Sequence, residues 1–107
     1  MFVKNSGAGF RRMNDGIEMR TLAYGDSMLM VAFHLIKGHE LALHSHPAEQ
    51  TGYLLSGHIR LSFGGQEHDI LPGDSWSIPG GTEHGGEILE DSMAVEVFSP
   101  VREEYLT

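Results

Sequence analysis

Two histidines separated by a single residue, His44 and His46, are the side chains of this sequence best placed to do chemistry. They end the apolar segment Leu41–His44, which is typical of a β-strand, and residues i and i+2 of a strand share one face about 6.6 Å apart. Two such imidazoles can tilt towards one ion, each at about 2.1 Å. Because Pro47 cannot donate to a sheet, the strand should end there, and the amide oxygen of Gln50 can reach the same point. The pattern predicts a metal site.

Composition limits what else the chain can do. There is no cysteine, which excludes disulfides, thiolate nucleophiles and cysteine-ligated zinc. The net charge is -8 without a cluster of lysine and arginine, so we expect no nucleic-acid partner. No apolar run approaches the roughly 20 residues of a membrane helix, and the N-terminus lacks the apolar core of a signal peptide. We therefore expect a cytoplasmic protein that does not enter a membrane.

Fourteen glycines divide the chain into short segments that favour an all-β fold, with residues 1–107 forming one domain. Ser56-Gly57 and Gly64-Gly65 predict hairpins, and Leu71–Asp74 predicts a turn. The acidic tail, Val101–Leu106, is the helix candidate. The predicted strands are Ile17–Ala23, Ser27–Ile36, Leu41–His44, Gln50–Ser56, His58–Phe63, Ser75–Pro79, His84–Leu89 and Met93–Phe98.

The histidines belong to two longer spacing patterns. Gly38 is followed by five residues, then His44-Ser45-His46, three residues, Gln50, six residues and Gly57. Gly73 is followed by five residues, then Pro79-Gly80-Gly81, two residues and His84. These patterns resemble G(x)5HxH(x)3-4E(x)6G and G(x)5PxG(x)2H, the two signature motifs of the cupin superfamily.

The resemblance implies a single-domain jelly-roll, a double-stranded β-barrel that ends in a short turn or helix. It also implies one divalent transition metal inside the barrel, bound by His44, His46, His84 and the residue at the motif's glutamate position. Zn, Ni, Mn, Fe and Co all suit such ligands, and ligand type does not choose among them.

Two positions depart from the cupin motifs. Gln50 stands where the first motif has glutamate, with Glu49 one residue earlier, and Ile88 stands where the second motif closes on asparagine. A slip of one residue would turn Glu49 to the opposite face of the strand, so Gln50 is the predicted fourth ligand. An amide in place of a carboxylate removes one negative charge and should raise the Lewis acidity of the metal. The remaining histidines, His34, His39, His58 and His68, match no motif position and are predicted to be surface or structural residues.

The C-terminal residues 93–106, MAVEVFSPVREEYL, narrow the family. They resemble the ending DVFxPxREDFL of small single-domain cupins of the KdgF type, which are associated with pectin degradation. That resemblance implies conversion of 4,5-unsaturated monouronates to linear 4-deoxy-5-keto uronates. The functional aspartate, phenylalanine and arginine of this family correspond here to Glu96, Phe98 and Arg102. Glu96 is a departure, with the same charge and one more methylene.

The residues themselves are compatible with this chemistry. Glu96 and Phe98 share a strand face, so both face the barrel if one does. A carboxylate in an apolar barrel can be tuned as a general acid or base, and Phe98 supplies an apolar wall for a sugar ring. Arg102 offers a fork for a uronate carboxylate, and Arg20 on an early strand is a further candidate for substrate binding. Tyr53 is predicted to point outwards, and Trp76 to lie in the core or at its rim.

Two other functions stay open from the sequence. The same histidines would suit another metal-dependent cupin enzyme, such as a dioxygenase or an isomerase of a small acid. A non-catalytic sugar- or metabolite-binding module is the third hypothesis. Ser27–Ile36 is apolar on both faces, which favours a homodimer.

Overall fold

The structure, a computed structural model, describes residues 1–7 and 9–106, and most of them lie in strands. No helix of this described part is long and apolar enough to cross a membrane. The strands are β1 (Arg11–Asn14), β2 (Ile17–Tyr24), β3 (Leu29–Leu35), β4 (Glu40–His44), β5 (Glu49–Phe63), β6 (Gln66–Ile70), β7 (Ser75–Ile78) and β8 (His84–Ser99), followed by a 3-10 helix at Glu103–Tyr105.

Two long strands, β5 and β8, organise the fold. They pair antiparallel along nearly their whole lengths, from Glu49 opposite Ser99 to Phe63 opposite His84. β3 and β7 flank one half of this pair, and β4 and β6 flank the other half. One sheet therefore has the order β1-β2-β3-β8-β5-β7, and the second has the order β4-β8-β5-β6. This confirms the predicted all-β jelly-roll, in which two long strands pass from one sheet to the other.

The predicted hairpin at Ser56-Gly57 is wrong, because the chain does not reverse there. The segments on both sides pair with β8, and the register shifts at this point. Gly57 has a φ of 98°, which here belongs to a bulge within β5 rather than to a two-residue turn. A Cβ at Gly57 would lie 2.1 Å from the hydroxyl oxygen of Ser92. That hydroxyl accepts a hydrogen bond from the His58 amide (3.0 Å) and donates one to the Glu90 carbonyl (2.7 Å). These two bonds stabilise the bulge, and they leave no space for a side chain at Gly57.

The other turn predictions are confirmed. Gly64-Gly65 connects β5 to β6 with φ values of 62° and 75°. The turn at Leu71–Asp74 is closed by a 2.9 Å bond from the Asp74 amide to the Leu71 carbonyl. β8 is one continuous strand where two were predicted, and β1 was not predicted because its sequence, RRMN, alternates weakly.

Apolar side chains from both sheets form one buried cluster. β3 contributes every second residue from Leu29 to Leu35, while Met28 and Met30 are exposed. The other side of this apolar segment is covered only in part, since Ala32 is buried there and the two methionines are not. The homodimer stays a prediction.

Candidate active site

Three histidines from separate parts of the chain converge on one point, with His84 buried, His46 half-buried and His44 exposed. His44 is the last residue of β4, His46 lies in the turn after it, and His84 begins β8 opposite His44. The centroid of the His84 ring lies 4.2 Å from that of His44 and 4.9 Å from that of His46. One ring nitrogen from each histidine lies within 4.8 Å of the other two. The structure therefore brings the three predicted histidine ligands together.

Backbone carbonyls fix the orientation of all three rings. In each ring Nδ1 contacts the carbonyl oxygen of a residue two positions away in the chain. Since a carbonyl only accepts hydrogen bonds, Nδ1 must carry the proton, and the lone pair of each neutral ring is then on Nε2. This second contact of a ring is the usual support of a metal-binding histidine. The three bonds join His44 to Ala42 (2.7 Å), His46 to Ala48 (2.8 Å) and His84 to Thr82 (2.8 Å).

Burial keeps two of the rings neutral. Loss of hydration is the main cause that lowers the pKa of His84, and the neighbouring histidines lower it further. Burial also lowers the pKa of His46, with a second contribution from the positive charge of Arg102. Neutral imidazole is the form that binds a metal.

Gln50 supplies the fourth donor that the sequence predicts. It is buried and lies opposite Phe98 in the β5–β8 pairing, whereas Glu49 is exposed, so the predicted choice between the two is supported. Its Nε2 donates to the Glu96 carboxylate. Its Oε1 and the Nε2 of His46 are buried without a hydrogen-bond partner among the described residues. Buried acceptors left alone cost about 1–3 kcal/mol each, so this donor set fits a bound divalent cation.

Glu96, near the C-terminal end of β8, faces the same cavity. Gln50 Nε2 and the indole nitrogen of Trp76 (3.4 Å) both donate to its Oε2. Burial of the carboxyl group raises the pKa of Glu96 to about 7, and the two hydrogen bonds and the charge of Arg102 only partly oppose this rise. A carboxyl with this pKa can both give and take a proton near neutral pH.

Arg102 enters the cavity from the C-terminal tail. Its Nε donates to the Glu104 carboxylate at 2.8 Å, and its guanidinium carbon lies 5.2 Å from the centre of the Phe98 ring. Phe98 itself is almost fully buried and its ring meets that of His46 at 5.9 Å. The positive group thus lies beside Phe98 on the cavity wall.

Most of these groups border one cavity of about 130 Å³, although His46 is not on its lining. Apolar side chains, among them residues of β3, β5 and β7, form the larger part of its wall. The predicted site residues on its lining are His44, Gln50, His84, Glu96, Phe98 and Arg102.

Arg20, the remaining candidate, lies elsewhere. β2 turns Met19 into the core, so Arg20 points to the opposite face, where its guanidinium lies 5.4 Å from the centre of the Phe10 ring. It borders a surface groove formed with residues 1–6 rather than the cavity. The structure does not bring Arg20 to the site, because alternation along the strand places it outside.

Two site residues were missed by the sequence reasoning. Trp76 was assigned to the core or rim. Its bond to Glu96 depends on the pairing of β7 with β5, and no local sequence pattern predicts that pairing. Tyr105 was read only as part of the tail, yet it borders the cavity beside Arg102. The signal that could have found Tyr105 is its position three residues after that arginine. Tyr53 is exposed on the outer face, as predicted.

Comparison with known proteins agrees with this geometry. The chain is 27% identical over 99 residues to pectin degradation protein KdgF of Dickeya dadantii (strain 3937), covering 91% of this chain and 90% of that protein. The structure of KdgF from Halomonas sp. superposes with a TM-score of 0.92 at 28% identity, over 99% of this chain and 98% of that one. An RmlC-like cupin from Shewanella frigidimarina NCIMB 400 shares the fold, with a TM-score of 0.91 at 23% identity over 98% and 95% of the two chains.

The family model of the cupin domain matches residues 31–100, a span that contains all three converging histidines and Gln50. The motif spacing, the jelly-roll pairing and this match agree. The chain belongs to the cupin family.

Proposed function

We propose that this protein is a metal-dependent enzyme that opens the ring of 4,5-unsaturated monouronates to give linear 4-deoxy-5-keto uronates. The observation that carries the proposal is that a single small cavity is bordered by two of the three clustered histidines, His44 and His84, by a carboxyl with a pKa of about 7 and by an arginine. The likeness to two proteins named KdgF, one described by its role in pectin degradation, supports the choice of a sugar acid as substrate.

Substrate binding would depend on Arg102 and Phe98. The guanidinium is only 15% exposed, and an arginine fork matches the two oxygens of a carboxylate. Phe98 presents an apolar ring below it, suited to the flat face of an unsaturated sugar. These two side chains would orient the uronate with its reacting atoms towards Glu96.

The reaction is an isomerisation that moves one proton and breaks one ring bond. The anomeric hydroxyl loses its proton, the C1 carbonyl forms, and the bond from C1 to the ring oxygen breaks. The released enolate takes a proton at C4 and becomes the C5 ketone, so the atoms balance without a redox partner. Glu96 is the residue that would transfer the proton, because it borders the cavity and burial raises the pKa of its carboxyl to about 7.

The metal would be held by His44, His46 and His84 with the Oε1 of Gln50. When bound, it would act as a Lewis acid that polarises substrate oxygens. Gln50 would at the same time keep its N–H bond to Glu96, and so hold the carboxyl beside the substrate.

The direct test is turnover of a defined substrate. The protein, purified without a nickel column and assayed with and without added divalent metals, is mixed with the unsaturated monouronate released by a pectate or alginate lyase. We expect faster loss of the ultraviolet absorbance of the C4–C5 double bond than in buffer, and a linear keto acid by NMR. No acceleration with metal present would contradict the proposal. Oxygen uptake that depends on Fe(II) would instead favour a dioxygenase, and binding without turnover would favour a binding module.

A further inference from the structure

Tyr105 is fixed in place by contacts with four other elements. Its ring meets the Phe33 ring at 6.2 Å and the Phe98 ring at 5.4 Å, both edge-on. Its backbone carbonyl accepts hydrogen bonds from Arg11 of β1 (3.0 Å) and from the hydroxyl of Thr21 of β2. These two bonds attach the short tail helix to β1 and β2, at one edge of the sheet, and so give the phenol a defined position.

The Tyr105 side chain is joined to Arg102 in two ways. The guanidinium carbon lies 4.2 Å from the centre of the phenol ring, and Nη1 donates to the phenol oxygen at 2.9 Å. Of the five N–H groups of the guanidinium, contacts with described residues use one on Nε and one on Nη1. Three N–H groups remain for a ligand.

The hydroxyl of Tyr105 also keeps a donor. A phenol has one O–H proton, and the contact with Arg102 uses the oxygen as an acceptor. Burial is the main cause that raises the pKa of Tyr105, so the proton is retained at neutral pH. Since Tyr105 borders the cavity together with Arg102, both groups can donate to the same ligand.

We infer that Tyr105 is a specificity-determining residue whose hydroxyl donates a hydrogen bond to one carboxylate oxygen of the substrate while Arg102 donates to the other. This rests on the proposed function, in which a sugar acid is the substrate, and adds a residue to its binding site. A carboxylate offers acceptors only, and so satisfies both donors. A neutral sugar alcohol at the same position would bring a donor of its own and leave one protein donor unpaired, and sites built in this way reject such analogues.

The test compares wild-type protein with Tyr105→Phe, which keeps the ring and its contacts and removes only the hydroxyl. Calorimetry measures binding of galacturonate, a saturated uronate that cannot react, and of galactose, its neutral counterpart. We expect roughly tenfold weaker binding of galacturonate, with a similar rise in KM for the unsaturated uronate and a kcat within about twofold of wild type. Galactose binding should not change, so the preference for the acid should fall by the same factor.

Tyr53→Phe is the matched control, because Tyr53 is exposed on the outer face, and it should behave as wild type. Unchanged galacturonate binding and KM in Tyr105→Phe would overturn the inference, as would an equal loss for galactose, which indicates a purely structural role. If wild type turns over the uronate and Tyr105→Phe has the same KM, the inference alone fails. If galacturonate binding depends on Tyr105 but no uronate is converted, the proposed function fails and the inference stands.

Discussion

The two sides of the cavity are built by different means. On the histidine side, formed by His44, His46 and His84, each ring is oriented by a backbone carbonyl two residues away. On the acid side, formed by Glu96 and Arg102, the charged groups are held by side chains, several of them from other strands. Backbone supports survive most substitutions, whereas side-chain supports do not. Metal binding should therefore tolerate changes at distant positions that impair catalysis.

Gln50 connects the two sides. Its oxygen is buried without a partner among the described residues and its nitrogen donates to Glu96. The amide has both a donor and an acceptor, whereas an ionised carboxylate at this position would have acceptors only. The glutamine that departs from the usual cupin glutamate thus allows a contact with Glu96 without two like charges meeting.

The largest effect is expected on the histidine side. His44→Ala and His46→Ala each remove a proposed ligand, so the protein should retain little or no metal, measured by elemental analysis after purification without a nickel column. Activity should fall by more than the roughly 10–100-fold that loss of a merely supporting residue costs. His68→Ala, which removes a histidine stacked on Phe63 away from the site, is the control. Unchanged metal content in both variants would show that these are not the ligands.

Substitutions on the acid side should lower kcat without loss of metal. Glu96→Gln removes the proton-transferring group, and kcat should fall by about 10²–10⁴-fold while metal content stays at the wild-type level. Glu96→Asp keeps the charge but withdraws the carboxyl from Gln50 and Trp76, and a displacement of about 1 Å can cost on the order of 100-fold. Glu90→Gln, an exposed position on the same strand, should have no effect. Wild-type kcat in Glu96→Gln would remove Glu96 from the mechanism.

The same difference explains what the sequence could predict. The histidine side depends on glycine and proline spacing within two short motifs, so the convergence of His44, His46 and His84 could be predicted, and Gln50 rather than Glu49 is the buried residue of its pair. The contacts of the acid side depend on which strands pair, so Trp76 and Tyr105 were missed and Arg20 was placed near the cavity. The strands were largely predicted from alternation and turns. The hairpin at Ser56-Gly57 was wrong because a glycine with positive φ serves a bulge as well as a turn.

The smallest expected effect tests whether a residue that packs behind Trp76 also influences kcat. Gly52 lies opposite both Trp76 and Glu96 in the sheet, and a Cβ there would lie 2.2 Å from the Trp76 indole ring. Gly52→Ala must therefore displace the indole, which should lower the free energy of unfolding by about 1–3 kcal/mol and weaken the bond from Trp76 to Glu96. We expect a kcat several-fold lower, because a neutral hydrogen bond contributes about 1 kcal/mol, and an unchanged metal content.

Gly25→Ala provides the comparison, because a Cβ there would have no neighbour within 4 Å. Its urea midpoint should equal that of wild type or lie slightly higher, by up to about 1 kcal/mol in stability, since alanine restricts the unfolded chain. If Gly52→Ala loses metal in proportion to activity, the histidine side depends on the acid side after all. If it keeps its metal and loses only activity and stability, the backbone carbonyls alone are enough to hold the three rings, and the acid side can vary among related chains without loss of the metal site.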